Sequence, residues 1–279
     1  VKKPELGLKA SSSKEQITNR LKYHPKVFEF FTSENDFTTE GLKRLEYAIE
    51  LVKNEATSKI VLHHPMRFKG EFTELVAPQT IFPDLCHFVQ RSTDALLQLS
   101  FDHDVQTLLH GSYARHTLKM ISLYPSQAKA RAYVYDQLDK YAQLGKKHIM
   151  FENSFSPLFY YGKEDEDQYI FNKGYRLAFD VSHCFIKDKG SNEQLTASLL
   201  RLRDHVVHYH LVDSLGKSHD SLQLGKGSID WRNVLPCLNP QASSIYEVQL
   251  NNENDAKEQV ASHQYLTKIY NELNSKQAQ

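Results

Sequence analysis

The chain has 279 residues, 40% of them hydrophobic, which is enough for one large barrel or two small domains with a sizeable core. Lys and Arg together number 34 and so do Asp and Glu, a balance that removes the usual electrostatic argument for a nucleic-acid or anionic-membrane partner. Cys86, Cys184 and Cys237 are odd in number and far apart, which argues against a disulfide framework or a cysteine zinc site and fits a reducing, cytoplasmic location. The start, "VKKPELGLKASSS", lacks the apolar segment of a signal peptide, and no later run reaches membrane-spanning length.

Short apolar runs alternate along the whole chain with stretches of helical periodicity, the pattern of a parallel α/β fold. Ser12 and Glu15 form a capping box that opens a helix after the first run. The runs read as eight strands, at 6–10, 27–31, 60–62, 107–109, 148–151, 176–179, 206–211 and 245–248. Leu42, Leu45, Ile49 and Val52 mark one helical stripe, and Val260, Leu266, Ile269 and Leu273 another. The acidic, tyrosine-rich "FYYGKEDEDQY" at 159–169 reads as a solvated insertion after the fifth strand. No linker or composition break divides the chain. Eight β-α units in this length predict a (β/α)8 TIM barrel, one domain over 1–279, with a doubly wound open sheet as the weaker choice.

Barrels of this kind carry their chemistry where the strands end. The third run ends "VLHHPM" with His63 and His64, the fourth "LLHGSY" with His110, the fifth "IMFENS" with Glu152 and the sixth "FDVSHCF" with Asp180 and His183. The seventh, "HYHLVDS", carries His208, His210 and Asp213, and the eighth, "IYEVQL", carries Glu247. Any one of these alone reads as a structural histidine or a helix cap. Together they bring carboxylates and imidazoles to one rim, where burial without a cation costs several kcal/mol, roughly. Such a mixed oxygen and nitrogen site suits Mn2+, Co2+, Mg2+ or Zn2+. Cys184 reads as packing, Trp231 as core, and His208 as facing the helices, away from His210.

The order Glu152, Asp180-x-x-His183, His210-x-x-Asp213, the Gly-x-Gly segment "LGKGSIDW" at 224–231 and Glu247 resembles the xylose-isomerase-like TIM-barrel superfamily. That group holds sugar isomerases and epimerases together with AP endonucleases of family 2, the endonuclease-four type. In the ketose epimerase branch the resemblance implies one divalent metal on Glu152, Asp180, His210 and Glu247. Glu152 and Glu247 would also move the substrate proton through a metal-stabilised enediolate, and His183 would hold a substrate oxygen. In the endonuclease branch His64 and His110 would bind an additional zinc shared through Glu152. A third zinc would need His183 and an Asp-x-His pair where this chain has "SHDSLQLGKG", so that His219 and Asp220 stand in the expected place without matching it.

The expected function is therefore a metal-dependent sugar or sugar-phosphate isomerase or epimerase acting on a small carbohydrate. The alternative is a zinc-dependent phosphodiesterase with two or three metals, and the third reading is a sugar-binding barrel without turnover. Arg67 and Lys226 are weaker substrate-binding candidates, for a sugar hydroxyl or phosphate. The sequence leaves self-association open.

Overall fold

The eight expected runs all form strands in the computed structural model, which describes residues 1–277 without the side chains of 115, 116, 276 and 277. The strands are β1 (Gly7–Ala10), β2 (Val27–Phe31), β3 (Ile60–His63), β4 (Gln106–His110), β5 (Ile149–Glu152), β6 (Leu177–Asp180), β7 (Val206–Leu211) and β8 (Ser243–Tyr246). Between them run α1 (Lys14–Leu21), α2 (Thr39–Glu55), α3 (Pro83–His103), α4 (Ala114–Ile121), α5 (Gln127–Gly145) and α6 (Glu164–Lys173). The remaining helices are α7 (Val181–Lys187), α8 (Asn192–Leu202), α9 (Trp231–Val234) and α10 (Lys257–Gln277).

Each strand pairs in parallel with the next in chain order, so the sheet curls into the expected single-domain (β/α)8 barrel and the open-sheet alternative falls away. At the remaining seam β1 lies hard against β8. A Cβ on Gly7 would stand 1.8 Å from the Ser244 carbonyl oxygen, so the approach requires glycine. The described residues contain no helix long and apolar enough to cross a membrane.

Alternation along the strands sorts the barrel into an outside and an inside. Phe28, Phe30, Leu62, Leu109, Phe151, Phe179 and Tyr209 pack outward in the clusters that also hold the helix stripes, including Leu45, Ala48, Ile49 and Val52 of α2. Val61, Leu108, Met150 and Ala178 form a separate apolar layer. Two residues further along β3, β4, β5 and β6, on the same inner face, stand His63, His110, Glu152 and Asp180. The layer below therefore floors the candidate residues with hydrocarbon. Register brings them level: His110 is opposite Glu152, and Asp180 is opposite His210.

Three local expectations are corrected. The Ser12 and Glu15 capping box does not form, because α1 starts one residue later, after Ser13, and Ser12 Oγ donates to Asp36 Oδ1 at 2.8 Å. Segment 159–169 is no solvated insertion. Phe159 and Tyr161 are buried, and α6 begins inside the segment with Glu166 accepting from Tyr135 and Arg131 and Asp167 accepting from Arg201. The eighth strand ends at Tyr246, two residues earlier than expected, which leaves Glu247 just past it with its N–H still on the Leu211 carbonyl.

Candidate metal centre

Glu152 is the hub of the rim. It is fully buried at the end of β5, and its two oxygens face in different directions. Oε1 lies 3.1 Å from His210 Nδ1, while Oε2 lies 3.0 Å from His110 Nε2 and 3.3 Å from His63 Nε2. Donor atoms of Glu152, Asp180, His210 and Glu247 all lie within 4.8 Å of one another. The same holds for His63, His110 and Glu152, whose imidazoles both face Oε2. These two sets adjoin and share the Glu152 carboxylate, and a third, Glu29, His208 and His210, meets the first at His210.

The ring orientations are set by hydrogen bonds from behind. His63 Nδ1–H donates to the His64 carbonyl at 2.8 Å, so in the neutral ring Nε2 turns a lone pair toward Glu152 Oε2. Two acceptors facing each other are unsatisfied, and a cation between them satisfies both. Glu29 Oε2 accepts from His210 Nε2 at 2.9 Å and from His208 Nε2 at 3.1 Å, which points His210 Nδ1 at Glu152 and Glu247. Asp180 Oδ1 caps α7 by accepting from the His183 N–H at 2.7 Å and from Ser182 Oγ at 2.9 Å. Its Oδ2 is buried with no hydrogen-bond partner among the described residues. Asn153 braces this corner, donating to the Asp180 carbonyl and accepting from its N–H, while its own carbonyl accepts from His183 Nδ1 at 2.9 Å.

Charge follows the same layout. Burial alone would push Glu152 and Glu29 up, but the facing histidines, with Lys9 beside Glu29, hold both well below the ordinary carboxylate range. Burial would push His210 down, yet Glu152, Glu247 and Glu29 raise it well above the usual histidine value. A divalent cation at Nδ1 would take that proton's place. The buried Asp180 oxygen without a hydrogen-bond partner and the mix of imidazole and carboxylate donors fit such a cation.

Of the expected site residues, the structure brings Glu152, Asp180, His210, Glu247 and His110 together, with His183 beside them, its Nδ1 3.7 Å from Asp180 Oδ1. His64 is a correction. It lies off the rim, fully buried, with Nε2 donating to Ser92 Oγ on α3 at 2.8 Å, and burial together with nearby His63 pushes its pKa down to about 3. His63 takes the place expected of it. His208 is the second correction: residues two apart share a strand face, so it points inward with His210. His219 stands near His183, their ring centres 5.0 Å apart, but Asp220 turns away to accept from the Leu215 N–H.

Asp213 is structural. It accepts from the N–H groups of Ser214, Gly225 and Ile229 and from Trp231 Nε1, which folds the Gly-x-Gly segment around it and buries Trp231. A Cβ on Gly227 would meet that carboxylate at 2.2 Å. Cys184 is buried packing, as expected. Lys226 is exposed on the same loop, its N–H closing a turn on Gln223. Arg67 sits in a small hairpin of Arg67–Phe68 and Glu71–Phe72, its guanidinium 4.0 Å above the Phe72 ring. The sequence does not single out Lys9, Glu29 or Asn153, nor His63 over His64. Only the Asn that follows Glu152 in "FENS" gave a local signal.

A cavity of about 630 Å³ opens onto this rim, lined by Lys9, His63 and Glu247 at its base and by Ser33, Arg67 and Lys69 toward solvent.

No protein-family model and no curated protein matches the sequence. Solved structures match over nearly the whole chain. A D-tagatose 3-epimerase-like protein superposes with a TM-score of 0.67 at 17% identity, over 98% of this chain and 99% of its own. The 3-keto-D-glucoside 4-epimerase YcjR from E. coli, in its apo form, gives 0.63 at 15% identity over 95% and 100%. The TTHB071 protein from Thermus thermophilus, in a crystal soaked with ZnCl2, gives 0.62 at 16% identity over 97% and 98%. Likeness at such identity speaks for the fold alone.

Proposed function

We propose that this chain, which has the fold of the xylose-isomerase-like TIM barrels, is a two-metal hydrolase acting on a phosphoester of a small molecule. One observation carries this reading: the two oxygens of the buried Glu152 face separate imidazole groups, Oε1 towards His210 and Oε2, which has no hydrogen-bond partner among the described residues, towards His63 and His110. A carboxylate that takes a proton from a substrate carbon needs one oxygen turned to the substrate. Both Glu152 oxygens here face imidazoles, and a carboxylate shared between two cations uses both.

Two divalent cations bound here would polarise a phosphoryl oxygen and supply a nucleophilic water near neutral pH. The chain's own groups do the rest. His63, His110 and Glu152 would form one half of the donor set, and Glu152, Asp180, His210 and Glu247 the other. Glu29 and Asn153 orient His210 and the Asp180 corner. His183 has its Nδ1–H committed to the Asn153 carbonyl, which leaves Nε2 at the rim to hold a substrate oxygen or return a proton to a leaving alkoxide. The cavity mouth carries mixed charge: Arg67 lines it together with Glu34, and Lys69 is paired with Asp84 at 3.2 Å, so Arg67 is the cation placed to meet a phosphoryl oxygen there. A net charge of zero fits a small ester better than a polyanionic duplex.

The test is metal content by elemental mass spectrometry together with hydrolysis of bis(p-nitrophenyl) phosphate. The reading expects about two metal ions per chain and a diesterase activity that falls at least about 100-fold in His110→Ala. One ion per chain and no release of nitrophenol would sink it.

The isomerase reading keeps two supports of its own. Glu152 and Glu247 both reach His210 Nδ1 and so flank one donor set, the arrangement that two-carboxylate proton transfer uses, and several of the matched structures are named as epimerases, epimerase-like or isomerase/epimerase. Solvent deuterium entering an unhydrolysed ketose, with one metal per chain, would select it.

A further inference from the structure

The centre contains a cation of its own. Lys9 points from β1 into the barrel, where its ammonium lies 3.0 Å from Glu29 Oε1 and contacts Glu247 Oε1. Glu29 Oε2 accepts from His210 Nε2 at 2.9 Å, and His210 Nδ1 meets Glu247 Oε2. The four side chains close a ring of alternating charge, Lys9 to Glu247 to His210 to Glu29, drawn from β1, β7 and β2 and from the residue after β8.

Glu247 is the member that needs restraint. It lies beyond the end of its strand, and its side chain is 31% exposed where the shared Glu152 is fully buried. A free carboxylate can bind a cation through one oxygen or both, and binding through both fills an additional coordination position. An ammonium fixed on one oxygen by a second, buried carboxylate leaves only the other for a metal.

We propose that Lys9 is a positioning residue that limits Glu247 to ligation through Oε2 and so keeps one coordination position of the Glu152, Asp180, His210 and Glu247 centre open to substrate. The inference rests on the metal-centre reading above. Glu29 makes the restraint rigid, because the same carboxylate that anchors Lys9 fixes the His210 ring.

The test loads wild type, Lys9→Met and Lys9→Arg with Co2+, whose visible absorption weakens as its coordination number rises. Wild type and Lys9→Arg are expected to share one spectrum. Lys9→Met is expected to lose band intensity while binding cobalt at least as tightly, and to lose about 10- to 100-fold in kcat on bis(p-nitrophenyl) phosphate with little change in KM. An unchanged cobalt spectrum in Lys9→Met overturns the proposal, and so does weaker cobalt binding with the spectrum retained, which is what a purely structural charge would give. If Lys9→Met does not fold, Lys9→Gln is measured instead and judged by the same spectrum. Wild type that binds no cobalt at all would overturn the metal centre itself, a failure distinct from that of Lys9. Cobalt bound as expected with no diesterase activity would leave Lys9 standing on the spectrum and remove the hydrolase reading.

Discussion

His63 and His64 are chemically the same and adjacent in sequence, yet they occupy different worlds. His63 faces a buried carboxylate, and His64 hangs on the Ser92 hydroxyl behind the strand. His63→Ala should lower the metal content by about one ion per chain with modest loss of stability. His64→Ala should keep the metal and cost roughly 1–3 kcal/mol in denaturant unfolding, because it empties a buried, hydrogen-bonded position. The reverse result would return His64 to the centre. Glu74 is a second case in which surroundings set the chemistry. Buried beside α4, it accepts from the Tyr113 N–H and Thr117 Oγ1, and burial pushes its pKa from 4.5 up to about 8. Between those values the folded chain holds a proton that the unfolded chain has released, so stability declines as pH rises through that window and levels off above it. Glu74→Gln should flatten the decline. Its stability relative to wild type should move in its favour between about pH 5 and pH 8.5, by at most about 5 kcal/mol. Parallel stability curves for the two proteins would refute the assignment.

At the level of elements, the junction of β6 and α7 gives one side chain two tasks. Asp180 caps the helix with Oδ1 and offers Oδ2 to the rim. Asparagine caps as well as aspartate does, while alanine does not. Asp180→Asn should therefore weaken metal binding with little change in stability, and Asp180→Ala should weaken it similarly and also cost about 1 kcal/mol of stability. Equal stability losses in the two variants would mean that the cap contributes nothing. The D-x-x-H spacing was readable in the sequence because a cap and its third residue are local. The Asn153 brace from the neighbouring strand was not, since it pairs residues 27 apart.

For the whole molecule, the decisive feature is the seam. Lys9, Glu29, His210 and Glu247 meet only because β8 returns against β1. Gly7 permits that approach, and Gly7→Ala should destabilise the fold by about 3 kcal/mol, measured by denaturant unfolding, because its Cβ would collide with backbone that cannot yield. Little or no loss would show that the seam has slack.

The sequence by itself determined the eight-fold β-α alternation, the acids and histidines that end the later strands, and the loop after β7 with its Gly-x-Gly turn. These are local patterns, and each needs only neighbours within a few residues. Only the tertiary structure decided which histidine of "HHP" faces inward and that His208 joins His210. Parallel strands buried on both faces read as continuous apolar runs, without the polar alternation that would fix their phase. It also decided that Lys9 and Glu29, lone charges inside apolar runs, belong to the centre. Their partners come from the far end of the chain, and closure of the barrel is what makes the ends of the sequence neighbours.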